Sequence, residues 1–313
     1  MSRWTEADIP DLGGRVALVT GATGGLGLQV ATVLASHGAR VLLGARNPDR
    51  AVAALAVVAA TATGRGPESV ALDLADLTSV RGAAADIRER TGDRLDLLVN
   101  NGGIMAPPLR FSPDGFESQW ATNVLGPAAL TWQLLPAIEG AAIEPTALGR
   151  VVFVSSSRHA SGAFDEARLR SDLRGENYRG FDYYGRTKLA DLLLSRQLDA
   201  HFRRVGSGAI SVAAHPGFTS TGIVGNGFAS LPGIIRPIAN WGGTLGQSVA
   251  MGALPILRAA TAEGVAGDDY YGPRYGLRGQ PVHSKRSAES QDDALGEMLV
   301  EVIAEAIGVA SPG

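Results

Sequence analysis

Tyr184 and Lys188 stand four residues apart in the stretch "FDYYGRTKLA" (181–190). On a helix that spacing places both side chains on one face. A free phenol, with a pKa near ~10, is too weak an acid to exchange protons readily near neutrality. A cation beside it favours the phenolate. The pair could therefore give a proton to a forming alkoxide or take one from an alcohol. Tyr183 has Thr187 at the same spacing and gains no cation. Taken alone, a Tyr–Lys pair is usually a solvated helix face, so the rest of the chain must decide.

A second chemical element is the glycine-rich run "VALVTGATGGLG" (16–27). Gly21, Gly25 and Gly27 let the backbone turn tightly and approach a pyrophosphate. The start of the following helix adds N–H donors and the positive end of a dipole. Glycine turns are common, but this one follows an N-terminal strand and opens a helix, the setting of a dinucleotide fingerprint. NAD-binding sites of this kind usually carry an acid at the end of the next strand, for the ribose hydroxyls. Here that strand ends "VLLGARNPDR", with Arg46 directly after Ala45 and no acid at the tip. A guanidinium there can pair with a 2′-phosphate, which favours NADP(H) over NAD(H).

These groups need a frame, and the chain supplies one. "RVALVT" (15–20), "ARVLLG" (39–44), "ESVALD" (68–73), "LDLLVN" (95–100), "GRVVFVSS" (149–156) and "GAISVAAH" (208–215) each read as a buried strand. Near-continuous apolar runs suit parallel strands covered on both faces. Helical patterns lie between them at 25–38, 77–91, 114–139 and 182–205, and "AVAALAVVAA" (51–60) reads as a packed helix. The order predicts an α/β fold, one Rossmann-type doubly wound parallel sheet, as a single domain over 1–313. Two segments, 157–180 and 217–243, read as irregular. In the last stretch Leu295, Leu299, Val302, Ile303, Ala306 and Ile307 share a helical face that should pack on the body.

Composition narrows the class. A 45% hydrophobic and 19% charged balance is that of a globular domain with enough material for a core. The net charge of −3, without a run of lysine or arginine, gives nucleic acid or an anionic membrane nothing to bind. Absence of cysteine excludes disulfides, thiolate metal sites and a cysteine nucleophile, and fits the cytoplasm. The N-terminal "MSRWTEADIPDL" lacks the apolar run of a signal peptide, and no stretch approaches the ~20 residues of a membrane span. The five histidines are scattered, so no metal is expected. His159 lies just past Ser156, but no GxSxG elbow supports a serine hydrolase.

"TGATGGLG" (20–27), "NNGG" (100–103), Ser156 after the fifth strand, "YGRTK" (184–188) and "HPG" (215–217) occur in this order. Together they resemble the short-chain dehydrogenase/reductase family, over about residues 14–285. With "LLGARN", "LDLADLTSV" and "ATNVLGP", the chain is similar to the retinol-dehydrogenase-like and protochlorophyllide-reductase-like branch. The resemblance implies an oxidoreductase that interconverts a carbonyl and an alcohol. Tyr184 would be the acid–base group, and Lys188 would favour its phenolate and bind the nicotinamide ribose. Ser156 would hydrogen-bond the substrate carbonyl, although Ser155 and Ser157 stand beside it. Asn123 would bind a water linking Lys188 to solvent. Thr23 and Leu26 would meet ribose and pyrophosphate. Asp73 and Leu74 would flank the adenine, and Asn100 would hold the adenine-side ribose and support the sheet. Thr219 and Thr221 would contact the nicotinamide carboxamide and pyrophosphate. The family usually has alanine where Gly102 stands, which predicts a looser turn after strand four.

Apolar residues of the 217–243 segment (Phe218, Ile223, Val224, Phe228, Leu231, Ile234, Ile235 and Trp241) could cover a hydrophobic small molecule. Family members commonly pair through the helices after strands four and five. A homodimer or tetramer is therefore open here, as is a monomer if the 157–180 insert blocks that face. Two other readings stand beside the main one. An extended-branch sugar-nucleotide epimerase or dehydratase would share Tyr184 and Lys188, but "NNGG" and the chain length oppose it. A non-catalytic NADP sensor would have no need of Ser156, Tyr184 and Lys188 together.

Overall fold

The computed structural model describes residues 3–142, 149–219 and 246–312. Eight strands form one sheet in the order β3-β2-β1-β4-β5-β6-β7-β8. They are β1 (Val16–Thr20), β2 (Arg40–Ala45), β3 (Glu68–Ala71), β4 (Leu97–Asn100), β5 (Arg150–Val154), β6 (Ile210–Ala214), β7 (Tyr270–Pro273) and β8 (Pro281–His283). All pairings are parallel except β7 with β8, which is antiparallel. The six expected strands are present, with ends that differ by one or two residues; β2 is shifted one residue toward the C-terminus. The last two were not expected, because their short runs are broken by Gly272, Pro273 and Pro281.

The apolar strand runs are explained by cover on both faces. Leu18, Leu42, Leu98, Val151 and Phe153 point into one core. Their alternates Val19, Val41, Leu43, Val99, Val152 and Val154 point into the other. The first core is closed by helices α3 (Leu77–Thr91), α4 (Gly126–Ala141), α6 (Gly180–Arg204) and α8 (Asp293–Ile307). The second is closed by α1 (Gly25–Ser36), α2 (Pro48–Ala59) and α7 (Val249–Thr261).

Local chemistry sets the helix ends. Asn47 caps α2 by accepting from the Arg50 N–H, with Pro48 in the first turn. Asp76 accepts from the Thr78 and Ser79 N–H groups at the start of α3, and Gly92 ends it in the left-handed region. The pattern over 114–139 forms a helix only from Ser118, with a π-helical stretch at Ala121–Leu125 before α4. The polar 157–180 segment, expected to be irregular, contains a 3₁₀ turn at Ser157–Ser161 and helix α5 (Glu166–Leu173). Buried Asp172 of α5 pairs with Arg186 and Arg168, a tie that side-chain polarity had hidden. In α8, Leu299, Val302, Ile303 and Ile307 are buried and Leu295 and Ala306 half-buried, as the helical face predicted. Most of the 217–243 segment, with Thr221 and its apolar residues beyond Phe218, lies outside the described residues.

From β1 the chain builds outward through β2 and β3, then returns to β4 on the other side. The carboxyl ends of β1 and β4 therefore border a crevice, the place where open α/β sheets bind ligands.

Candidate active site

The β1 end is locked to the β4 end by Thr20. Its Oγ1 accepts from the N–H groups of Asn101 (3.0 Å) and Gly102 (2.9 Å), and Asn101 Nδ2 donates to the Thr20 carbonyl at 2.8 Å. Gly21 turns with φ of +64°, and a Cβ on it would fall 2.8 Å from Gly102 Cα. A Cβ on Gly27 would meet the Gly21 carbonyl oxygen and Asn101 Nδ2, both at 2.5 Å. Close packing against the β4 end thus excludes side chains at Gly21 and Gly27, and the loop's backbone passes directly into the start of α1. The looser turn expected from Gly102 is not found. Its N–H is held by Thr20, and a methyl there would press on Leu74 Cδ1 at 2.7 Å.

Because successive residues of a strand face opposite sides, the two asparagines diverge. Asn101 meets the glycine loop, whereas buried Asn100 donates to Thr131 Oγ1 of α4 at 2.9 Å and leaves its Oδ1 without a partner. Past β2, Arg46 is exposed and sits 3.9 Å from Asp73 Oδ2. The Arg50 guanidinium overhangs the glycine loop, within 3.5 Å of where a Gly24 Cβ would lie. Thr23 is half-buried in that loop, and Leu26 and Leu74 are buried beside it.

Helix α6 carries the pair that the spacing predicted. Lys188 Nζ lies 5.7 Å from the centre of the Tyr184 ring. The ammonium is buried and donates to the Val154 carbonyl (2.9 Å) and to Asp191 Oδ2 (2.7 Å). Burial pushes the Asp191 carboxyl up to about 6, against the pull of Lys188. Burial also works against the Lys188 charge, but the Asp191 carboxylate and Tyr184 outweigh it and hold the ammonium above its ordinary value. Tyr183 takes no part in the site. It is fully buried, its hydroxyl donates to the Glu176 carbonyl at 2.7 Å, and burial raises it above the usual phenol range.

Of the three serines after β5, buried Ser155 gives its Oγ to the Lys188 carbonyl at 2.7 Å. Ser157 is exposed. All three line the cavity with Tyr184, and the Ser156 Oγ accepts the Arg158 N–H at 3.2 Å, capping the 3₁₀ turn. The cavity holds about 540 Å³, with walls that include Leu26, Met105, Phe181, Phe218, Thr219 and Leu277. Thr219 is buried there, next to the described end of β6's following loop.

Asn123 sits in the π-helical stretch, a kind of distortion that recurs at functional sites. Its Oδ1 accepts from the Ile104 N–H (2.8 Å), while Nδ2 donates to the Ile104 carbonyl and Thr187 Oγ1. Both Asn123 Oδ1 and Lys188 Nζ face the space beside Gly103, at 3.2 and 3.8 Å from where its Cβ would be.

Behind the site, His159 and His215 are buried against Tyr270. Burial, then the neighbouring His159, push His215 down to about 4 from its ordinary 6.5. The unfolded chain therefore takes up this proton first as pH falls, so His215 costs stability progressively between pH 6.5 and 4 and costs nothing above 6.5. The stability lost between pH 7 and pH 4 should be smaller by roughly 3 kcal/mol in His215→Asn than in the native chain. Urea unfolding of both proteins at the two pH values measures this, and equal losses would contradict it.

Several residues of the site escaped sequence reasoning. Asn101 was visible only as part of "NNGG". Arg50 was visible as the second arginine of "ARNPDR", and Asp191 as the acid three residues after Lys188. Nothing in the chain pointed to Tyr270. Among the described residues no helix is long and apolar enough to cross a membrane, and no cluster of His, Asp and Glu could hold a metal.

The family model for short chain dehydrogenase matches residues 15–166. Human retinol dehydrogenase 13 is 32% identical over 98% of this chain and 88% of its own length. The Aspergillus calidoustus short-chain dehydrogenase/reductase drtF is 38% identical, covering 69% of this chain and 70% of that protein. A crystal structure of a Mycobacterium paratuberculosis protein superposes over the whole of both chains with a TM-score of 0.79 at 32% identity.

Proposed function

This chain belongs to the short-chain dehydrogenase/reductase family and is an NAD(P)-dependent oxidoreductase, and from that premise we propose that it interconverts a hydrophobic ketone or aldehyde with its alcohol, using NADP(H) and Tyr184 as the acid–base group. The observation that carries this reading is Tyr184, with Lys188 behind it, lining a largely apolar cavity together with Ser156.

The glycine loop, the orphaned Asn100 Oδ1 and the two arginines past β2 fit a dinucleotide phosphate. Gly21, Thr23, Gly25, Leu26 and Gly27 would hold its pyrophosphate with Thr219 and Thr221. Asp73, Leu74 and Asn100 would border the adenosine, and Arg46 with Arg50 would clasp the 2′-phosphate. When bound, the nicotinamide exchanges hydride with the substrate carbon.

The protein's part is to move a proton at the substrate oxygen. Tyr184 delivers it in reduction and removes it in oxidation, and Ser156 donates a hydrogen bond that holds the same oxygen. Two of the three Lys188 hydrogens are committed, to Val154 and Asp191. The third remains for the nicotinamide ribose or the phenol. A water between Lys188 and the second lone pair of Asn123 Oδ1, in the space beside Gly103, would renew the proton.

NADPH and NADH oxidation against aromatic, alicyclic and terpenoid ketones tests the activity. Charge-assisted bonds are worth about 1.5–3 kcal/mol each. Arg46→Ala alone should therefore raise the KM for NADPH by about 10- to 100-fold and leave NADH little affected. An unchanged NADPH/NADH preference would remove the cofactor reading.

A further inference from the structure

The cavity that holds Tyr184 and Ser156 is also bordered by an exposed arginine that the acid–base chemistry does not use. Arg158 lies two residues past Ser156, and its backbone is held at both sides. Its N–H is taken by Ser156 Oγ at 3.2 Å, and its carbonyl accepts from Ser161 Oγ at 2.8 Å. The guanidinium stands 6.0 Å from the centre of the Phe181 ring, a cation–π contact that orients it along the cavity wall.

What Arg158 lacks is an acid. The neighbouring arginines Arg168, Arg170, Arg174 and Arg186 each pair with a carboxylate, but Arg158 forms no ion pair among the described residues. None of the described residues lining the cavity is acidic. Nor can the adjoining chain supply a partner, because residues 216–262 contain no Asp or Glu. An exposed cation at the rim of apolar walls, with no protein carboxylate beside it among the described residues, is matched by a ligand that brings one.

We propose that the substrate of this site carries a carboxylate, and that Arg158 anchors it while Ser156 and Tyr184 hold the reacting oxygen. The proposal rests on the hydride-transfer reading above. A carboxylate fits better than a phosphate monoester: a planar guanidinium matches two carboxylate oxygens, whereas a dianion would need a second cation, and among the described residues Arg158 is the one cation lining the cavity. The capped turn ties the guanidinium to Ser156. Specificity then comes from the distance between the two ends of the ligand, with the aromatic and aliphatic walls gripping what lies between.

The test uses 4-(3-oxobutyl)benzoate and its primary amide as matched ketones. Non-reacting 4-butylbenzoate and 4-butylbenzamide serve as ligands for calorimetry on the NADPH-loaded protein. The native protein should prefer the acid over the amide by about tenfold or more, both in kcat/KM and in Kd, the scale of one charge-assisted bond. In Arg158→Gln the acid-to-amide ratio should fall to about one, and Arg158→Lys should keep part of it. Equal binding of acid and amide by the native protein overturns the proposal, as does a preference that survives Arg158→Gln. If 4-butylbenzoate binds preferentially through Arg158 but neither ketone is reduced, the carboxylate site stands and the hydride-transfer reading fails.

Discussion

Tyr184→Phe should lower kcat by about 10²- to 10⁴-fold, the usual worth of a positioned acid–base group, while NADPH binding, followed by its fluorescence, is preserved. The variant keeps the ring that packs near Lys188 and removes only the transferable proton. Tyr183→Phe is the internal control. That hydroxyl is spent on the Glu176 carbonyl inside the first core, so its loss should cost about 0.5–1.5 kcal/mol of stability with turnover retained. Full turnover in Tyr184→Phe would remove the proposed mechanism. Loss of turnover in a well-folded Tyr183→Phe would mean that the wrong phenol has been assigned.

Asp191→Ala is expected to be nearly as damaging, for a different reason. Lys188 and Asp191 are both almost completely enclosed, with side chains 8% and 4% exposed, and they meet at 2.7 Å. Removing the carboxylate leaves an ammonium in the interior without its counter-charge, which costs about 3–5 kcal/mol in comparable buried pairs. Turnover should fall as well, because burial then works against the Lys188 charge with only Tyr184 to oppose it. Removing both charges together separates the two effects. Lys188→Met with Asp191→Leu should regain most of the lost stability, since an apolar pair of similar volume avoids the desolvation cost, yet it should stay inactive. Urea unfolding and steady-state rates on the three proteins provide the measurement. Native-like stability in Asp191→Ala would show that the pair bears no such load.

Both expectations concern neighbours on one helix, yet only one was legible beforehand. Tyr184 and Lys188 could be chosen because spacing on a helix is local geometry, and the choice over Tyr183 needed no fold. Asp191 sits at an equally local spacing, but its importance comes from burial, which depends on what β5 and β7 place over that face. The three serines show the same division. Resemblance pointed to Ser156, and only the course of the chain after β5 shows Ser155 bonded to the Lys188 carbonyl. Asn100 and Asn101 look interchangeable in "NNGG" until the strand pleat sends them to opposite faces.

The sheet was largely readable for a related reason. Strands buried on both faces need unbroken apolar runs, and β1, β2, β4, β5 and β6 have them. At the edge, β7 and β8 are short and interrupted by Gly and Pro, and neighbours rather than composition hold them in place. Helix α5 was missed because its buried residues include Asp172, whose polarity is hidden by Arg168 of the same helix and by Arg186 of α6.

By itself, then, the sequence determined the class of fold, the glycine turn and the placing of Tyr184 and Lys188 on one helix face. Each of these is written in periodicity or spacing over a few residues. Tertiary structure decided which groups share a cavity and which are spent on packing. It brought Arg50 to the glycine loop, Asp191 to Lys188, and an unpaired Arg158 to the wall facing Tyr184. Charge and hydrogen-bond balance are properties of an enclosed space, and that space exists only once distant segments have closed it.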